Sequence, residues 1–283
     1  MKINWIYVII FALGFTSYGQ NFHYVNAENG LIVRDEPSKS ANRVGKLPYG
    51  TQVVIKEYSG NKFSIQDDGQ TITGEYVLIS GYDNTENISG YIFSGYLTTE
   101  RLKQKSTLVL NDVVINFYSN SPWAFENKKK YSALTYIELG DNTEDVQIKI
   151  ADKNYKKVAI FQRYETSLTV MNDGPHCDLT EWKHYNSKWI ELSKKDDDAN
   201  AFISHTIEDG DYTRFIDVTL DDVKDAVKEH CGEDWYDHMK NIKTISEYPM
   251  AISISRVFFK IVITRQDNTT SEKIITCMIP MGC

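Results

Sequence analysis

Through the first third of the chain, apolar residues come in runs of three or four, cut by turn residues. Leu31-Ile32-Val33 follows Asn29-Gly30, and Gln52-Val53-Val54-Ile55 follows Tyr49-Gly50. Tyr76-Val77-Leu78-Ile79 and Gly90-Tyr91-Ile92-Phe93 stand on either side of the polar Asp83-Asn84. Gly60-Asn61 and Asp68-Gly69 are hairpin signals, because their residues tolerate the positive φ that tight turns between strands need. Many short strands at close spacing predict a small β-barrel over residues 22–100. Its expected filling is Leu31, Val33, Val44, Leu47, Val53 and Ile55, with Gly45 and Gly50 in conformations open to a residue without Cβ.

Glu100 to Ser106 reads as a charged linker, and residues 107–283 as a second unit. Its expected strands are Leu108–Tyr118, Ala133–Leu139, Val146–Ile150, Lys157–Gln162, Ser167–Met171, Lys188–Leu192 and Ala201–Thr206. A terminal hairpin is expected from Ile252–Arg265 and Lys273–Ile279, turned at Asp267-Asn268. One helix is well marked. Thr219 with Asp222 three residues on is a capping box. Leu220, Val223 and Val227 then share a face, Lys228 and His230 suit the negative end of the helix dipole, and Gly232 is a natural stop. A short second helix fits Glu233–Asn241, with Trp235, Met239 and Ile242 on one side. The chain is therefore expected to be mainly β: a small barrel, then a β-rich α+β domain with one or two helices.

The ordered motifs of the first unit carry a resemblance. Gly30-Leu31-Ile32-Val33-Arg34 with Pro37-Ser38, then Val44-Gly45-Lys46-Leu47, Gly50-Thr51-Gln52-Val53, Gly90-Tyr91-Ile92 and Tyr96-Leu97, are similar to the bacterial SH3-like domain pattern. Tyr76-Val77 stands where that family has a tryptophan-led strand, Ile32 where it usually has Asn, and residues 60–73 read as an inserted hairpin. The resemblance implies a binding module of the cell envelope. Its partner would be a peptide, a protein or a peptidoglycan fragment, held in a groove lined by Tyr58, Tyr76, Tyr91 or Tyr96.

Composition narrows the partners. The formal charge of −8 repels phosphate backbones and argues against nucleic acid. Lys128-Lys129-Lys130 is then a solvated loop. Aromatic residues make up 12%, which suits both strands and recognition surfaces. Met1-Lys2, the apolar run Ile3 to Phe15 and the small residues Ser17 and Gly19 before Gln20 have the layout of a cleavable export signal over residues 1–19. That run is shorter than the roughly 20 residues needed to span a bilayer. A periplasmic or secreted protein with no integral membrane span after cleavage is expected. Cys177, Cys231, Cys277 and Cys283 are then disulfide candidates, with three possible pairings.

Other constellations carry less. Cys177 and His184, in a segment that also holds His176, Asp178 and Trp182, have the residue types of a thiol hydrolase of the cell wall. Cys177 follows Gly174-Pro175-His176 in a turn, however, and lacks the helix N-terminus that would lower its pKa. His230, Cys231 and His238 show no close ligand pair of the kind zinc sites use. Asp196-Asp197-Asp198 lacks the spacing of a calcium loop. No phosphate-binding loop, serine elbow or dinucleotide fingerprint is present. The expected function is noncatalytic binding without cofactor or metal, with the Cys177–His184 hydrolase as the alternative.

Overall fold

The computed structural model describes residues 22–67, 69–81, 88–151, 154–172, 176–196, 198–206, 215, 217–245 and 247–281. The expected export signal, Asp68, Asp83-Asn84, Gly174-Pro175, Asp197 and Cys283 lie outside the described residues. The chain forms two compact units, Met1–Arg101 and Leu102–Cys283. The described residues of both are mainly β, with two helices in the second.

The first unit contains β1 (Phe22–Val25), β2 (Leu31–Arg34), β3 (Arg43–Leu47), β4 (Gln52–Tyr58), β5 (Phe63–Asp67), β6 (Gln70–Gly74), β7 (Tyr76–Gly81), β8 (Ser89–Phe93) and β9 (Leu97–Thr98). Seven of them form one sheet in the order β3-β2-β8-β7-β4-β1-β9. It curves around a single aliphatic core of Val25, Leu31, Val33, Leu47, Val53, Val77, Ile79 and Ile92. Gly30 and Gly50 turn the chain at φ of 80° and 81°, in the left-handed region where a side chain is strained. Two expectations fail here. Val44 is 50% exposed, because the period of two on β3 turns Leu47 inward and Val44 out. Gly45 has no positive φ; a Cβ there would instead press on Ile88 at 3.2 Å. Ile55 packs against the core only partly buried.

The second unit is a two-layer sandwich joined to a helical end. One sheet runs β10 (Gln104–Leu110), β11 (Val113–Ser119), β14 (Gln147–Ile150), β20 (Asp198–Ile203) and β19 (Lys194–Lys195), in that order. The other runs β12 (Phe125–Lys129), β13 (Ser132–Tyr136), β22 (Thr270–Met278), β21 (Met250–Thr264), β15 (Lys157–Val170) and β16 (Cys177–Asp178), with β17 (His184–Asn186) and β18 (Ile190–Glu191) also pairing with β15. Leu108, Ile115, Phe117 and Ile148 from the first meet Ile160, Val257, Phe259 and Ile275 from the second in one core. A second core packs α1 (Leu220–His230) and α2 (Glu233–Met239) on Leu168, Val170 and Met250 through Val223, Val227, Met239 and Ile242.

The capping box at Thr219 forms with both of its hydrogen bonds, and Gly232 separates the helices at φ 97°. Three readings need correction. Gln104–Ser106, expected in the linker, belong to β10. The run Leu108–Tyr118 is two strands turned at Asn111, φ 24°, since an apolar stretch does not by itself show where it doubles back. Lys157–Gln162 and Ser167–Met171 are one strand, because the charge buried between them is partnered: Glu165 takes Arg256 at 3.0 Å.

Candidate functional site

A concave surface on the first unit is built where β5 and β6 depart from the main sheet. Among the described residues these two strands pair only with each other, so contacts outside the ladder must seat them. Phe63 supplies one such contact, its ring 5.3 Å from Tyr76 and 4.7 Å from Phe93. Gly74 and Gly95 supply another: a Cβ on Gly74 would lie 2.4 Å from the Gly95 nitrogen, so only glycine lets the two backbones meet this closely. A third is Glu75, buried, whose Oε2 accepts the Gly60 amide at 2.6 Å. At the hairpin tip the Tyr96 hydroxyl donates to the Asp67 carboxylate.

These contacts hold the hairpin as one wall of a cleft of about 540 Å³. The opposite wall is the loop 26–30 running into Leu31, Ile32 and Arg34, with Lys39 at the side. Phe63, Tyr76, Phe93 and Tyr96 line its apolar part, and Tyr96 sits edge-on to Phe93 at 5.9 Å. Glu28 and Asp67 bring negative charge, Arg34 and Lys39 positive. Arg34 is fixed by donating from Nη1 to the Ala41 carbonyl at 2.6 Å. The cleft is thus an aromatic surface bordered by charges of both signs, with one wall anchored by ring packing and a tyrosine–carboxylate contact.

Residues 29–98 match the model of the bacterial SH3 domain. This part of the chain is a bacterial SH3 domain. The match leaves the C-terminal unit unassigned, and a comparison of the chain with curated proteins found no match. Within the SH3 domain, Tyr76 and Tyr96 come together in the cleft. Tyr58, 58% exposed, lies instead on a shallower depression of about 360 Å³ with His23, Ile55 and Leu97. Tyr91 lines neither and pairs on β8 with Leu78 and Arg34. Sequence reasoning missed Phe63, Ile65 and Asp67. The hairpin itself is signalled by Phe63 and Ile65 alternating toward the Asp68-Gly69 turn, but it reads as an insertion beside the domain pattern, and nothing local in the sequence seats it on the cleft.

In the C-terminal unit Cys177 is bonded to Cys231, with Cα atoms 5.9 Å apart. The bridge ties β16 to the C-cap of α1 and leaves Cys177 no thiol to ionise. His184 faces the buried Glu165 carboxylate, Nε2 to Oε2 3.5 Å. Cys277 is free and buried, which corrects its expectation as a half-cystine; burial alone pushes its thiol above the ordinary range. Asp198 is held by Lys149 at 2.6 Å, and that hydrogen bond, with the Asn200 amide, keeps its carboxyl below the usual value. His238 packs against Trp235, ring centroids 5.8 Å apart. Among the described residues no three His, Cys, Asp or Glu side chains converge to hold a metal ion. No described helix is long and apolar enough to cross a membrane.

Proposed function

We propose that this is a noncatalytic binding protein of the bacterial cell envelope whose SH3 domain holds a short peptide or cell-wall fragment in the cleft between loop 26–30 and the β5–β6 hairpin. Bacterial SH3 domains bind cell-wall components and are typically extracellular or in the envelope. The observation that carries the reading is the aromatic set Phe63, Tyr76, Phe93 and Tyr96 in one cleft with Asp67 and Arg34. Aromatic faces bind apolar parts of a ligand, and the mixed charges match the amine and carboxylate ends of a short peptide. The Cys177–Cys231 bridge supports an oxidising compartment, where such bonds persist. Hydrolysis by a Cys177 thiolate would first require that bridge to be reduced. The test is calorimetric titration of soluble muropeptides into the full chain and into Tyr96→Phe and Phe63→Ala variants. Saturable binding weakened by both substitutions is expected. Binding unchanged by either places the ligand elsewhere, and wall digestion that appears on reduction and vanishes in Cys177→Ser would favour the hydrolase.

A further inference from the structure

The sandwich of the C-terminal unit carries a second surface, independent of the SH3 cleft. On the outer face of β15 and β21, Phe161 stands directly across from Lys260, and Arg163 across from Phe258. Trp189 lies over both cations: its ring centroid is 4.6 Å from the Arg163 guanidinium and 4.5 Å from the Lys260 ammonium. Phe258 and Phe161 flank the same two cations at 4.8 and 4.9 Å. All five side chains are half-buried, while alternate residues such as Ile160, Phe259 and Ile261 fill the core beneath. The face continues with Ile274, which pairs with Lys260 on β22.

Rings, not carboxylates, face these two cations. Among the described residues neither Arg163 nor Lys260 forms an ion pair, and the buried Nε of Arg163 has no hydrogen-bond acceptor. Aromatic rings stabilise a cation less than a paired anion does while stripping water from it, so charge remains to be satisfied. Within a chain of net charge −8, two cations stand together on an apolar, ring-lined surface, with Glu191 across from Phe161 and Glu272 across from Val262 at its margins.

We propose that this face binds a glycan bearing carboxylate or phosphate groups. The anionic groups would pair with Arg163 and Lys260, and the C–H face of a sugar ring would stack on Trp189 and Phe258. An acidic peptide fits less well. β15 and β21 are interior strands whose amides are spent in the ladder. A peptide laid across them would press its own amides onto rings and aliphatic side chains without partners. Sugar hydroxyls stay at the rim in water.

The test uses the full chain, with Trp fluorescence and calorimetry at low salt. Polygalacturonate supplies carboxylates, phosphorylated dextran supplies phosphates, neutral dextran is the uncharged control and polyglutamate the acidic peptide. Saturable binding of either charged glycan is expected, weakened about ten-fold by Arg163→Gln with Lys260→Gln, a loss of one unit in log Kd. Lys128→Gln, a cation elsewhere on the surface, should leave it unchanged. Lys260→Gln alone, at a half-exposed position, serves where the double variant unfolds and should still weaken binding. The proposal is overturned if neither charged glycan binds, if polyglutamate binds as well as the glycans, or if the variants bind like the parent.

Discussion

The SH3 domain and the C-terminal unit bury their strands by different means. In the SH3 domain one sheet curves around one aliphatic cluster, and the hairpin that walls the cleft is held outside that cluster by Phe63, two glycines and the Tyr96–Asp67 contact. The C-terminal unit has two cores, a fully buried Lys273 paired with the more exposed Asp112, and a disulfide. The contrast teaches where binding residues can be changed without unfolding the protein. Hairpin side chains sit on the edge of their domain's stability, whereas the partnered polar groups of the sandwich are inside it. The comparison breaks if hairpin substitutions prove as destabilising as those in the sandwich.

The largest expected effect is at Lys273. Its side chain is fully buried, with Nζ 2.6 Å from Asp112 Oδ1 and 4.2 Å from the Tyr131 ring centroid. Asp112→Ala leaves that charge uncompensated and should cost about 3–5 kcal/mol, read as a lowered urea midpoint for the C-terminal unit. The same pair sets a pH dependence. Partial burial would raise the Asp112 carboxyl, but hydrogen bonds from Lys273 and Arg265 and the Lys273 charge outweigh it and hold it below its ordinary value. A depressed folded pKa means the stabilisation is complete above the unfolded carboxylate value of about 3.9. It is lost as pH falls through the lower folded value. Urea midpoints of the parent and Asp112→Asn should therefore converge in acid and separate above about pH 5.

Next in size is the disulfide. Replacing Cys177 and Cys231 together by Ser opens a loop with a sequence separation of 54 and should cost about 2–4 kcal/mol, measured by calorimetry, with cleft binding in the SH3 domain unchanged. Smaller again is Thr219→Ala. It removes the side chain that accepts the Asp222 amide at 3.1 Å and should cost about 1 kcal/mol in the same scan.

How much of this was legible varies with how local its cause is. The capping box at Thr219, the glycine turns and the terminal hairpin rest on neighbours in sequence, and they form as expected. The single strand Lys157–Val170 was not legible, because Glu165 is made compatible with a strand by Arg256, ninety-one residues away. Val44 was misjudged because an apolar residue type does not say which face of β3 it takes. At the cleft, Tyr76 and Tyr96 were readable from the domain pattern. Phe63 and Asp67 were not, since what makes them part of the site is the seating of the hairpin on Phe93 and Tyr96.

The most direct measurement compares the parent and Phe63→Ala for both muropeptide affinity and thermal midpoint. The account predicts affinity down about ten-fold or more, equivalent to about 1.4 kcal/mol, with the C-terminal transition unmoved. Unaltered affinity in a folded Phe63→Ala protein would contradict it.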